Sequence, residues 1–427
     1  MASILRFDSA QTVEGRRWVV GLHVSSDCRR VSSAAVAAVG RGLDVRLHIA
    51  GGVTVPVPAE IGGRFDEVAG EIGRGDSLPD QMAAIKSGLV EVQAAAVGEL
   101  LSRANLPAGR VLAVGVLDPS LWSTERGGLR DYWELGDAAR LAESTGLNVV
   151  DAFAARDLAR GGLGGPLTAV PEWLLLRSVQ RNQVLVDLGR TTRLTWLPAG
   201  TGNSSAARIM SFDVGPGTGL LDLLTQRLSG GKQPFDHGGR LGVQGRRLTE
   251  LVDSWLASPY FETPLPRWNP GGVDARAFFH DAMEKAIDAG WSVRDMLCSA
   301  AHFLAEATVR TIQRFLPESC LSGPILVCGG GQHNGMLLRE IGVRLPRAEL
   351  VRVSEMGIAS EALDAASAGI LALLHLDQVP ANPPSVTGTD LCRVLGRLTP
   401  GSPQNWQRLL NDLTGSTPAV RPLRSAL

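Results

Sequence analysis

Two stretches of the chain share one layout, and that duplication constrains the fold most. The first runs "RRWVVGLHV", the polar "SSDCRR", "VSSAAVAAVG", then "LDVRLHIAGGVTVPV". The second runs "QVLVDLGRTTRLTWLP", then "AARIMSFDVGP". Each is a series of short, β-branched, apolar runs broken by polar or glycine-bearing turns, the pattern of a strand meander. The copies are offset by about 165 residues, far beyond the period of a solenoid repeat. Segments of helical spacing follow each copy. Two α/β domains of like topology flanking a cleft are therefore expected, and 427 residues can supply two cores. The expected division is residues 1–136 with 376–427 in one domain and 137–375 in the other.

The helices read clearly. "DQMAAIKSGLVEVQAAAVGELLSRANL" places Ile85, Leu89, Val92, Ala96 and Leu100 on one face and stops before Pro107. "RVLAVGVLD" reads as a strand. In "LGDAARLAESTGLNVVDAFAARD", Asp137 caps a helix, Gly146 ends it, and a short strand follows. Later helices open at "TGLLDLL", "RRLTELV", "DARAFFHD", "SVRDMLC" and "SEALDAA", and the tail "GSTPAVRPLRSAL" reads as loose.

Composition excludes several classes. The formal charge of −1 offers no basic surface for nucleic acid. Five cysteines without a C-x-x-C pair and seven scattered histidines argue against a disulfide framework and a zinc site, so no metal ligands are assigned. "MASILRFDSAQTVEGRRW" lacks a signal-peptide core, and apolar runs such as "AGILALLHL" are too short to span a membrane. A cytoplasmic protein with neither membrane nor nucleic-acid partner is expected.

Three glycine-rich turns carry the candidate chemistry. "ILVCGGGQHNGML" is a strand, then Gly329, Gly330 and Gly331, then a helix start. Glycines let backbone amides approach a ligand, and a helix N-terminus favours an anion. The plain alternative is a tight strand-to-helix turn. "SFDVGPGTGLLD" puts Asp213 at a strand end, where ligand sites of α/β folds gather. Pro216 stiffens that turn, and Gly215 and Gly217 leave room for sugar or phosphate. In "ARDLARGGLGGPL", Asp157 is a candidate base toward water or a hydroxyl. It is equally an N-cap or a partner of Arg156 or Arg160. The loop "GKQPFDHGGRLGVQGRRL" reads as mobile, with His237 exposed. "SPYFETPLPRWNPGG" reads as a rigid loop at a cleft mouth or an interface, and Cys328 as a small buried strand residue.

The segments "RDLARGGLGGPL", "FDVGPGTGLLD", "GKQPFD", "SPYF", "VCGGGQHNGMLLREI", "MGI…EA" and "PPSVTG" come in a fixed order between residues 17 and 400. In that order they resemble the anhydro-N-acetylmuramic acid kinases, of the hexokinase–acetate kinase–Hsp70–actin superfamily. The resemblance implies two actin-like ATPase (ribonuclease H-like) domains. It implies ATP-dependent phosphorylation of 1,6-anhydro-N-acetylmuramic acid with hydrolytic opening of the anhydro ring, using ATP and Mg2+. It makes Asp157 the base. It places nucleotide at Gly329, Gly330, Gly331, Asn334, Gly189, Ser25 and Ser26. It places the amino sugar at Asp213, Gly215, Pro216, Gly217 and Arg156. A homodimer is the assembly it leaves open.

The sequence also departs from the family pattern. The family's M-S-G-T-S-x-D-G reads "HVSSDCRR", without glycine and with Arg29 in place of the aspartate. H-G-Q-T falls on "VLDPSLW", centred on Leu117 and Asp118. N-I-G-G-x-x-N reads "DLGRTTR", where Arg190 and Arg193 replace a glycine and an asparagine. The glutamine of G-G-Q-G is Leu163, the asparagine after G-P-G is Thr218, and P-K-S-T-G-R-E reads "PRWNPGGVD". Phosphoryl transfer rests on positioning and charge stabilisation. These losses therefore carry a second expectation: a catalytically impaired pseudokinase that keeps the fold to bind a ligand or partner.

Overall fold

The computed structural model describes residues 16–70, 78–123, 131–269 and 275–415. The N-terminal stretch 1–15, the "PGGVD" stretch 270–274 and the tail from residue 416 lie outside the described residues. The chain forms two compact units: unit 1 is Met1–Ala159, Glu361–Ala381 and Cys392–Leu427, and unit 2 is Arg160–Ser360 and Asn382–Leu391.

The strands of the first stretch are β1 (Arg17–Val24), β2 (Arg30–Val39), β3 (Arg46–Pro56), β4 (Val111–Leu117), β5 (Ser120–Ser123), β6 (Asp131–Glu134) and β7 (Val149–Asp151). Then follow β8 (Gln183–Leu188), β9 (Thr191–Leu197), β10 (Met210–Pro216), β11 (Pro324–Cys328), β12 (Glu349–Arg352) and β13 (Arg397–Thr399). The sheet of unit 1 runs β13-β7-β4-β1-β2-β3, and that of unit 2 runs β10-β9-β8-β11-β12. In unit 1, β1, β2 and β3 form an antiparallel meander, β4 pairs parallel with β1, and β7 parallel with β4. In unit 2, β8, β9 and β10 form the meander, β11 pairs parallel with β8, and β12 parallel with β11. Leaving out the edge strand β13, both sheets read third, second, first, fourth, fifth. The duplication read in the sequence is thus one of topology, and each unit is of the actin-like class.

In unit 1 the run "RWVVGLHV" is buried almost throughout, as a central strand covered on both faces must be. One cover is the helix Leu78–Arg103, with Ile85, Leu89, Ala96 and Leu100 fully buried. Another is the helix Ser360–Leu376, which lies close against β1 and β4. A Cβ on Gly21 would stand 1.6 Å from the Ala365 carbonyl oxygen, and one on Gly115 2.0 Å from that of Ala368. Only glycine permits this approach.

These contacts move the expected domain boundaries. Residues 137–159 belong to unit 1 because β7 extends its sheet beside β4. The return to unit 1 begins at residue 361, not 376, because the Ser360–Leu376 helix covers that sheet, and 382–391 go back to unit 2. In unit 1, Asp377 pairs with Arg17 at 2.7 Å and with Arg41 at 3.0 Å, and Arg41 pairs with Asp412 of the C-terminal helix at 3.0 Å. In unit 2 the core gathers helices Thr218–Ser229 and Val293–Phe315 around Phe212, Trp255 and Phe303.

Candidate active-site elements

Ligands of α/β sheets gather beyond the carboxyl ends of parallel strands. In unit 1, Asp118 follows β4 and Asp151 ends β7 at that edge. The chain then turns through Ala152, at φ 53° and ψ 39°, into the helix Phe153–Leu158 that carries Asp157. Asp157 is fully buried. It lies near the C-terminal end of this helix and is not its N-cap. The two arginines weighed as its partners have other acceptors. Arg156 Nη1 donates to the Val394 carbonyl at 3.4 Å. In unit 2, Arg160 makes a two-pronged pair with Asp390 at 3.1 and 2.8 Å.

Three carboxylates share this edge of unit 1. Gln93 Nε2 donates to Asp118 Oδ1 at 2.5 Å, and burial, then the charges of Glu134 and Asp151, push Asp118 up to about 8. Glu134 Oε1 accepts the Ala152 N–H at 2.9 Å, and burial followed by Asp151 raises its pKa. Asp151 is gripped by Arg397 through Nε at 3.1 Å and Nη2 at 2.6 Å. Sequence reasoning missed Glu134 and Arg397. Arg397 reaches Asp151 only through the pairing of β13 with β7, across most of the chain.

The turn joining β1 to β2 corrects an expectation. Ser25 Oγ donates to Asp27 Oδ1 at 2.6 Å and accepts from the amides of Arg29 and Arg30 at 3.2 and 3.0 Å. Its one O–H is thus spent inside the turn, and only Ser26 stands exposed at the tip. The Arg29 guanidinium pairs with Asp66 over Gly62, facing the neighbouring helix.

Unit 2 brings the other expected turns together. A Cβ on Gly217 would meet the Gly189 carbonyl at 2.2 Å, and one on Gly329 the Asp187 carboxylate at 2.4 Å and the Gly189 nitrogen at 2.8 Å. Gly331 lies as close to Leu188 and Thr218. The amides of Gly217 and Thr218 donate to the carbonyls of Arg190 and Gly189, both at 2.8 Å. The three turns are therefore welded at the tip of the β8–β9 hairpin. This corrects the expectation that Gly215 and Gly217 leave room for a ligand. Phe261 fills the space beside Gly215, with ring atoms from 3.2 Å, and Gly189 fills that beside Gly217. Gly330 differs, since a Cβ there would meet nothing within 4 Å. Asn334 Oδ1 caps the following helix through the Leu337 amide at 3.0 Å.

Beneath the turns, one row crosses four strands. Cys328, Asp187, Arg193 and Asp213 stand opposite one another on β11, β8, β9 and β10. Arg193 lies 3.1 Å from Asp187 and 3.7 Å from buried Glu172. Asp213 Oδ2 accepts the Asn269 amide at 2.9 Å, and burial pushes its carboxyl up to about 6 against the pull of that amide, Arg193 and Arg267. Arg267 stands where the family motif has lysine. It donates to the Asp213 carbonyl at 2.8 Å and packs over Tyr260. A cation is therefore kept at the lysine position. Asp236 folds its own glycine-rich loop by accepting from Leu241 and Gly242, and His237 is exposed, against Phe235.

Among the described residues, no helix is long and apolar enough to cross a membrane and no group of histidines, cysteines and carboxylates is set to hold a metal ion. In chain path the protein is similar to component A of (R)-2-hydroxyglutaryl-CoA dehydratase from Acidaminococcus fermentans. That likeness has a TM-score of 0.41 at 10% identity, over 84% of this chain and 99% of that one. An anhydro-N-acetylmuramic acid kinase of Gloeobacter violaceus is 29% identical over 89% of this chain and 98% of its own. One of Synechococcus elongatus is 34% identical over 62% of this chain and 69% of its own. The model of that kinase family matches residues 31–401, beginning directly after the Ser25–Arg30 turn. With the R-D, G-P-G and triple-glycine segments all at the carboxyl edges of duplicated sheets, the chain belongs to the anhydro-N-acetylmuramic acid kinase family.

Proposed function

We propose that the protein phosphorylates 1,6-anhydro-N-acetylmuramic acid with ATP while water opens the anhydro bridge. The observation that carries this reading is Asp157. In a member of this family, the aspartate of the R-D motif sits buried on a short helix directly after β7. As base, Asp157 takes a proton from water, whose oxygen bonds to C1 of the sugar. The C1–O6 bond breaks, O6 takes the γ-phosphoryl group, and ADP leaves. The products are N-acetylmuramic acid 6-phosphate and ADP.

The nucleotide is assigned to unit 2, at the Gly329–Gly331 turn, where the open side of Gly330 admits phosphate to the backbone. ATP arrives with Mg2+, which takes few protein oxygens. Asp187, whose carboxylate lies against Gly189, is the acid this reading assigns to the ion's water shell. Arg156, beside Asp157 in unit 1, is assigned to the sugar. The test is ADP release in the presence of the anhydro sugar, with a product heavier than the sugar by one water and one phosphoryl group. ATP binding without sugar-dependent ADP release would overturn the reading.

A further inference from the structure

We propose that Glu134 is a positioning residue for Asp157, acting through the backbone of Ala152. This rests on the reading of Asp157 as the base. Ala152 lies in the left-handed region, at φ 53° and ψ 39°, which residues with a Cβ seldom adopt. Such a conformation lasts only where the surroundings fix it from several sides. Here its N–H is held by Glu134 Oε1 at 2.9 Å. The preceding residue, Asp151, is held by Arg397 at 3.1 and 2.6 Å, and Arg397 Nη2 also lies 3.6 Å from Glu134 Oε2. Glu134 ends β6, a strand of a two-stranded ribbon apart from the main sheet, and Tyr132 of the same strand hydrogen-bonds the backbone at Ala155, so β6 holds both the turn and the helix that follows it.

The geometry downstream gives the contact its consequence. Phe153–Leu158 is six residues long, less than two turns, and a helix that short has little stability of its own. Its direction depends on the turn at Ala152 together with the hold of Tyr132 on the Ala155 backbone, and Asp157 stands near its far end, fully buried. A small rotation at Ala152 is carried to the Asp157 carboxylate. A base displaced by about 1 Å loses on the order of a hundredfold in rate. The role asks of Glu134 only an acceptor oxygen. Glutamine supplies one and alanine does not.

The experiment compares Glu134→Ala and Glu134→Gln with the wild type, in turnover and in hydrogen exchange of residues 152–158 without substrate. Glu134→Ala should lower kcat by about tenfold to a hundredfold, with KM for ATP little changed, and exchange in 152–158 should quicken. Glu134→Gln should restore both. If Glu134→Ala does not fold, adding Ala152→Gly relieves the left-handed strain and allows the same comparison. Equal damage from both variants, or unchanged exchange in Glu134→Ala, overturns the proposal. The exchange arm needs no turnover. An inactive wild type would therefore sink the proposed function, while exchange alone still decides the role of Glu134.

Discussion

Asp187 on β8 and Arg193 on β9 stand directly opposite one another, with Arg193 Nη2 3.1 Å from Asp187 Oδ2. In the family motif N-I-G-G-x-x-N both places are asparagine. Here a neutral pair has become an ion pair, so two departures that look like losses in sequence cancel in charge. Arg193 also serves buried Glu172 and lies opposite Asp213. The hairpin tip that welds the glycine turns therefore keeps a fixed base.

The ion pair predicts a coupled response. Arg193→Asn alone leaves Asp187 and buried Glu172 without this cation and should cost about 1 to 3 kcal/mol, below the full scale of a buried pair because Arg193 and Asp187 are each about one-fifth exposed. Asp187→Asn alone should cost less, because Arg193 still serves Glu172. The double variant should be more stable than the sum of the two losses implies, by about 1 kcal/mol in urea melts. Additive losses would show that the two side chains do not cooperate.

The glycines of the triple turn should separate by role. Gly329 has φ 74°, and its Cβ would strike Asp187 and the backbone at Leu188 and Gly189. Gly329→Ala should therefore cost at least about 2 kcal/mol. Gly330→Ala meets open space and should melt like the wild type, yet weaken ATP in calorimetry by crowding the phosphate approach. Unchanged ATP affinity in Gly330→Ala would remove this turn from the nucleotide site.

Asp118 predicts how stability depends on pH. Its folded carboxyl titrates at about 8, while an unfolded one titrates near 4 (roughly 3.9). Between these values the folded protein holds a proton that the unfolded chain has lost. Stability from this group is complete below the lower value and is lost as pH rises through the upper. The wild-type melting temperature should fall from about pH 4 to about pH 8 more steeply than that of Asp118→Asn. Asp213 and Asp222, both pushed up to about 6, add a fall of the same sign to both proteins. Parallel curves would mean that Asp118 ionises normally.

Much of this was legible because the signals were local. The cap of Asp137 on the Arg140 amide, the left-handed stop at Gly146 and the strand Val149–Asp151 were all read from adjacent residues. So were both meanders, whose apolar runs are set by burial. The ribbon of β5 and β6 and the edge strand β13 were missed: "SLWS", "DYWE" and "RLT" are short and mostly polar, without the paired valines that mark Val149–Asp151. The fate of Ser25 was hidden too. Whether a serine points to a ligand or back to its own turn depends on the left-handed Cys28, at φ 53°, and cysteine does not announce that conformation. Gly215 and Gly217 misled for the opposite reason. Glycine signals a close approach but not what approaches, and here it was Phe261 and Gly189.

Asp157 carries the last prediction. Asp157→Asn keeps the shape of the side chain and removes its ability to accept a proton. If Asp157 is the base, turnover should fall by about two to four orders of magnitude. The melting temperature should change little, because the amide keeps the size and shape of the carboxylate. The competing role is a loop clamp in which Arg156, Arg160 or nearby backbone amides hold Asp157; Arg156 also reaches the Val394 carbonyl and Arg160 also pairs with Asp390. A clamp would lose stability and turnover together. KM for ATP should be unaffected, because the turns proposed to hold the nucleotide belong to unit 2. Measuring kcat, KM for ATP and the melting curve on one preparation separates the two roles. Full turnover in Asp157→Asn would take the base away from this residue and with it the mechanism proposed for the ring opening.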